Sequence, residues 1–204
     1  MTNAQIEDEV LRLLRGGDID AATTVALRGY GPEVLGFLAA VSKNEADARD
    51  AFSEFSEDLW NGLPKFQASS SLRTWAYTIA RRALWRVMND PRRRAERNVP
   101  LSQAGVLEKI AAEVRESTTP HLRTEVKDGF AALRAQLPAD EQTLLVLRVD
   151  RDLAWRDIAS VMHEGEGELT GAALEREAAA LRKRFERVKQ RLRELGEKAG
   201  LAKR

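Results

Sequence analysis

The sequence predicts an all-α protein built as two small helical domains joined by a linker. Three observations carry that prediction. Apolar residues recur every three or four positions along most of the chain, the period that covers one face of a helix. No segment shows the apolar–polar alternation of a half-buried strand. The composition, 43% hydrophobic and 32% charged over 204 residues, suits a soluble, helix-rich chain with room for one large core or two modest ones.

Ile6, Val10, Leu13 and Leu14 mark a short first helix, ended by Gly16-Gly17. Asp18 is placed to cap a second, running through Ala22 and Val25 towards Tyr30. Gly31-Pro32 reads as a restart, with Pro32 in a tolerated first turn and Val34, Phe37, Leu38 and Val41 facing inward. Glu45 or Asp47 opens the next helix, which passes Ala48, Ala51, Phe52, Phe55 and Leu59 and breaks at Gly62 and Pro64. A polar loop, Phe66-Gln67-Ala68-Ser69-Ser70, leads into a helix over Ser71–Arg86 whose inner face is Leu72, Trp75, Ala76, Ile79, Ala83 and Val87. Asp90-Pro91 stops that helix. Arg92, Arg93, Arg94 and Arg97 follow, then turn residues around one short helix, Val106 to Val114. These boundaries give a first domain over 1–90, a linker over 91–124 and a second domain over 125–204. In the second domain Glu141–Val149 is strongly apolar, and Asp152 reads as the cap of a helix through Ile158 and Met162. An acidic turn, His163 to Gly171, precedes a last helix from about Ala172 to Leu195.

Charge narrows the function classes. The net charge is only +1, which argues against a general nucleic-acid coat, but the charge is segregated. Glu45–Asp58 holds six acids and one base, whereas Leu181–Arg193 holds seven bases and one acid. Cysteine is absent, which excludes disulfides and thiolate metal sites. No run of eighteen apolar residues and no signal peptide is present, so a cytoplasmic location with no membrane partner is expected. His121 and His163 are solitary, and no Gly-rich phosphate loop, HExxH pair or nucleophile beside a base occurs. The expectation is a protein that is not an enzyme, with no catalytic residue, no metal and no cofactor.

Two stretches carry candidate binding chemistry. On the Ser71–Arg86 helix, Arg73, Tyr77, Arg81 and Trp85 follow at i+4, with Thr74, Thr78 and Arg82 beside them. Read as an exposed stripe, guanidinium groups would grip phosphate and rings would stack on unpaired bases. The alternative reading has Tyr77 and Trp85 merely widening the apolar face. In the second domain, a helix over Asp152–Met162 followed by a basic one describes a helix-turn-helix, with Arg182, Lys183, Arg184 and Arg187 facing DNA. Against this, Leu174, Ala178, Leu181, Phe185, Val188, Leu192 and Leu195 also fit the seam of a dimerising coiled coil.

The order of acidic helix, polar loop, Trp-centred helix, linker and basic helix-turn-helix resembles a bacterial sigma factor of the extracytoplasmic-function type. Asp47–Phe55 resembles that family's polymerase-binding segment, and Phe66–Trp75 continuing through Ile79-Ala80-Arg81 its promoter-melting segment. Leu137-Pro138 and Ala154–Ala159 resemble its upstream-element reader. The resemblance implies that Asp47, Asp50, Ser53 and Glu54 dock on the basic coiled-coil clamp of core RNA polymerase. It implies that Ser69, Ser70 and Ser71, in the loop Gln67–Ser71, receive a base flipped from the −10 element of promoter DNA. Tyr77 and Trp85 would stack there, with Arg73, Arg81 and Arg82 on the backbone. Arg182, Lys183, Arg184 and Arg187 would read the −35 element, and an anti-sigma protein is a further partner of such factors. The chain departs from the family at Ser53, where Gln is usual, at Arg82 and Arg86, where Asn and Asp are usual, and in its long acidic turn. The rival readings are a dimeric helix-turn-helix regulator that binds closed duplex, and a helical adaptor with no nucleic-acid role.

Overall fold

The computed structural model describes residues 1–42, 44–89, 109–116, 129–165 and 167–199. The described residues hold helices and turns and no strand, as the all-α reading expects. They divide into two compact units, Met1–Pro120 and His121–Arg204. The arginine run after Asp90 and His121 lie outside the described residues.

In the first unit, α1 (Asn3–Arg15) starts with a capping box in which Thr2 and Gln5 satisfy each other's backbone N–H groups. Gly17, at φ +76°, takes the left-handed turn that a side chain would resist, and Asp18 then caps α2 by accepting from the Ala21 N–H at 3.0 Å. The expected break at Gly31-Pro32 does not occur. α2 is one helix, Ile19–Val41, with Pro32 inside it. The hydrogen bond lost at Pro32 would have ended on the Arg28 carbonyl, and both residues are exposed, so water can replace it. Burial of Leu27, Tyr30, Val34, Phe37 and Leu38 against the other helices outweighs the local cost.

α3 (Glu45–Gly62) is capped by Asn44, whose Oδ1 accepts from the Asp47 N–H at 2.8 Å while its Nδ2 donates to Asp47 Oδ2 at 2.8 Å. A 3₁₀ turn, Leu63–Lys65, follows the break at Gly62. α4 (Leu72–Asn89) packs along α3, with Leu72, Ala76, Ile79, Ala83 and Val87 buried as their spacing predicts. A further helix, α5 (residues 109–116), belongs to the same unit and buries Ile110, Ala111 and Val114. Its charged side chains reach α2 and α3: Glu113 pairs with Arg28, and Arg115 with Ser53.

In the second unit, α6 (Gly129–Arg134) and α7 (Ala139–Leu145) lead through a π-helical turn, Val146–Asp150, to α8 (Trp155–Met162) and α9 (Gly171–Lys198). Asp152 is not the cap of α8. It sits at φ +49° in the preceding turn and pairs with Arg148 at 3.2 Å, and Ala154 holds the cap position. The heptad residues of α9 do not form a free seam. Leu174, Ala178, Leu181, Phe185 and Val188 are buried against α6, α7 and α8 of their own unit, and Phe185 meets Trp155 edge-on at 5.4 Å. One small core takes up five of the seven heptad positions, and Leu192 and Leu195 are half-buried.

Candidate functional site

The arginine–aromatic stripe is real as sequence, but the helix turns it inward. A step of four residues advances a helix by about 400°, so an i+4 row drifts by roughly 40° per step and spirals around the axis. Tyr77 is fully buried, edge-on to Phe37 at 5.4 Å, and Arg81 is only 6% exposed. Neither presents a surface to a base or a phosphate. Arg73 is engaged as well, through two 2.8 Å hydrogen bonds to the Glu33 carboxylate, and it lies 5.6 Å from the Tyr77 ring centre. The hydrogen bond to Glu33 outweighs the effect of burial and raises the Arg73 pKa.

What α4 turns outward is a neighbouring row. Trp75, Thr78, Arg82, Trp85 and Asn89 alternate steps of three and four, which holds one face without drift. Trp85 is 55% exposed, and Asn89 donates to its carbonyl at 2.9 Å. At the upper end Trp75 packs on Phe66 with ring centres 5.0 Å apart, forming an aromatic floor beside the loop. The loop itself is shaped by Ala68 in the left-handed region at φ +53°. Gln67, Ala68 and Ser69 are exposed. Ser71 is occupied otherwise: its Oγ accepts from the Thr74 N–H at 3.1 Å and bonds Thr74 Oγ1 at 2.8 Å, capping α4. Glu7 of α1 accepts the Leu72 N–H at 3.1 Å and adds a second anchor at the same point. The Phe66–Trp75 pair was missed as a surface feature in the sequence, because Trp75 belongs to the inner row by spacing and is only half-covered in space.

The acidic row on α3 divides in a similar way. Asp47 is 4% exposed and tied to Asn44, so it serves the helix start rather than an outer surface. Asp50 faces solvent. Ser53 donates to the Arg49 carbonyl at 3.2 Å and accepts from Arg115 Nη1 at 2.8 Å. Glu54 accepts from Arg86 Nε at 3.0 Å, and Arg86 Nη2 also pairs with Asp58. Burial opposes the Arg86 charge, but Asp58 and Glu54 outweigh it and raise its pKa. Arg86, where the resemblance expects a carboxylate, therefore stitches α4 to α3.

In the second unit, Arg182, Lys183 and Arg187 are exposed on α9 and form no ion pair among the described residues. Arg184 lies 3.9 Å from Asp140 of α7. The first turns of α9 are held to α8 by Arg156, whose Nε is 3.1 Å from Glu175, so a carboxylate sits where a reading helix would begin. Among the described residues no group of three His, Asp or Glu side chains could hold a metal, and no helix is long and apolar enough to cross a membrane.

Residues 26–96 match the Sigma-70 region 2 family, which spans most of α2, α3 and α4. The chain is 26% identical over 165 residues to RNA polymerase sigma-H factor of Pseudomonas aeruginosa, covering 79% of this chain and 85% of that protein. An alignment of that length exceeds the first unit and continues into the second. It is also 26% identical over 136 residues to RNA polymerase sigma factor YlaC of Bacillus subtilis, covering 66% of this chain and 76% of that one. Residues 26–96 thus match a sigma-factor domain, and over most of its length the chain is similar to bacterial sigma factors. No solved structure matches it significantly. The matched region contains α3, the serine loop and α4 together, so the acidic row and the outward aromatic row both lie inside it.

Proposed function

We propose that this protein is a sigma factor that binds core RNA polymerase in the cytoplasm and directs promoter-specific transcription initiation as a binding subunit without chemistry of its own. Asp50, Ser53 and Glu54 on α3 form the docking face. The loop Gln67–Ser70, the Phe66–Trp75 floor and the Arg82–Trp85 row receive the opened −10 strand. Arg182, Lys183 and Arg187 on α9 contact the −35 duplex. The observation that carries the reading is the row from the loop to Asn89, which sets two rings, Trp75 and Trp85, among polar groups on one helix face.

The energetics support such a use. Extruding a base costs a few kcal/mol, and stacking on an aromatic side chain returns about 1–3 kcal/mol per base. A ring already exposed at 55% is available for that purpose, whereas a core tyrosine is not. The two readers are carried by separate units of one chain, so binding one raises the effective concentration of the other. The test is reconstitution of the purified chain with core polymerase, followed by run-off transcription on a genomic template library and mapping of start sites. Discrete starts sharing two upstream elements are expected. Absence of a complex, or transcription without shared elements, refutes the proposal.

A further inference from the structure

The reading of α3 as the docking face leaves one contact unexplained: Asp50 faces solvent, but Ser53, on one flank of that face, is already held by the chain's own Arg115. α5 lies across α2 and α3 with Ile110, Ala111 and Val114 buried to 5%, 4% and 4% exposure. Its approach is close. A Cβ placed on Gly31 would sit 3.0 Å from Val114 Cγ1, tighter than ordinary contact, and 3.5 Å from Phe52 Cζ, so any larger residue there would push on the helix. Two polar contacts of opposite sense fix the register. Glu113 meets Arg28 of α2 at 3.3 Å, and Arg115 donates to Ser53 Oγ of α3 at 2.8 Å.

Placed on a helical wheel, Asp50 lies at the centre of the outward face of α3, with Ser53 and Glu54 on its two flanks. Arg115 of α5 holds the Ser53 flank and Arg86 of α4 holds the Glu54 flank. We propose that α5 is an internal competitor for this face: the polymerase docks on it only after α5 has left. The inference rests on the proposed docking role of Asp50, Ser53 and Glu54.

The physical character of α5 suits a reversible occupant. Its described part buries only three apolar side chains, Ile110, Ala111 and Val114. Two of its three buried side chains are small, and its ion pair to Arg28 is solvent-exposed on both sides. Such a segment has two accessible states, and a partner with affinity only for the uncovered face shifts the population towards release.

Two manipulations of the full chain test this. Val114→Asp, alone and with Ile110→Asp, should undock α5, read as rapid hydrogen exchange over 109–116, and should tighten binding to core polymerase by about fivefold or more. Because the natural chain has no cysteine, Arg28→Cys with Glu113→Cys gives a unique pair for a reductively cleavable thiol cross-linker. The locked protein should bind core polymerase at least about tenfold more weakly and recover on reduction. If fast exchange over 109–116 leaves affinity unchanged or lower, or the locked chain binds as well as the reduced one, the proposal is overturned. Failure of the unmodified chain to bind core polymerase at all overturns instead the docking role itself, and with it this inference.

Discussion

Tyr77 and Trp85 are two rings eight residues apart on one helix, and the structure assigns them opposite fates. That contrast gives a sharp prediction. Tyr77→Ala removes a fully buried ring that packs edge-on against Phe37 at 5.4 Å and lies under the Arg73 guanidinium at 5.6 Å. Truncating a buried aromatic side chain to alanine costs about 3–5 kcal/mol, and the neighbouring helices α2, α3 and α4 leave little room for collapse around the void. That is a large share of the stability of a small unit, so Tyr77→Ala should lose helical signal at much lower urea concentration and fail in every functional assay. Trp85→Ala removes a ring that is 55% exposed and should change stability by under about 1 kcal/mol. It should still bind core polymerase. Its defect should appear in strand opening, as about 1–3 kcal/mol of lost stacking, which is roughly a 5- to 150-fold fall in the opened fraction under conditions where opening is incomplete. Circular dichroism during urea titration and permanganate footprinting of the −10 region separate the two effects. Wild-type opening by Trp85→Ala, or wild-type stability of Tyr77→Ala, refutes the assignment of the outward row.

Four further outcomes are expected. Burial pushes the Tyr30 phenol up to about 12, with the charges of Glu7 and Glu33 adding to the rise and Arg73 opposing it. The unfolded chain ionises this tyrosine near 10, so the stability it contributes is complete below about pH 10 and is lost as pH climbs towards 12; Tyr30→Phe should flatten the alkaline loss by up to about 2–3 kcal/mol in urea midpoints taken across that window. Arg73→Ala breaks two hydrogen bonds to a partly buried carboxylate and should cost about 1.5–3 kcal/mol, measured by thermal denaturation, with no change in the salt dependence of DNA binding. Pro32→Ala restores an exposed backbone bond within α2 and should stabilise the fold by about 1 kcal/mol or more; a lower denaturation midpoint contradicts the continuous helix. Arg182→Ala and Arg187→Ala should each weaken −35 duplex binding, lowering the salt slope by about one unit for a phosphate contact or relaxing specificity at one base pair for a base contact.

The elements themselves were legible because their signals are local. Asp18 accepts a hydrogen bond from the very turn it was expected to cap, and Gly62 ends α3 where glycine and proline cluster. Pro32 misleads for a tertiary reason: the helix persists because its buried residues on both sides of the proline pack into one core. Asp152 misleads because a π-helical turn delays the start of α8, and nothing in the pattern of apolar residues marks that extra residue. The heptads of α9 were visible, but a heptad row is the same whether its partner is a second chain or the chain's own helices. Among the candidate site residues, Arg82, Trp85, Asp50, Arg182, Lys183 and Arg187 reach the surface as read. Tyr77, Arg81 and Asp47 do not, because rows of fixed i+4 step and first-turn carboxylates are both drawn inward by helix geometry and capping.

On the proposed reading, the same geometry lets α4 face outward while it is fastened to α3. On α4, Arg86 turns towards Glu54 and Asp58 of α3, while Arg82 and Trp85 occupy the face that continues up to the loop. The side chains that fasten α4 to α3 and those that face outward thus alternate along a single helix, with Ser71 and Glu7 fixing its first turn. A clamp on α3 and a strand on α4 would therefore bear on a two-helix body whose parts cannot shift independently. Reversing both partners, Arg86→Glu with Glu54→Arg and Asp58→Arg, should preserve this body and the strand-opening row while destroying the acidic docking face. Such a variant should remain folded by circular dichroism yet lose core polymerase, whereas Arg86→Glu alone places three carboxylates together and should lower stability first. If the triple variant keeps its affinity for the polymerase, the carboxylates of α3 are only structural partners of Arg86, and the docking face lies elsewhere.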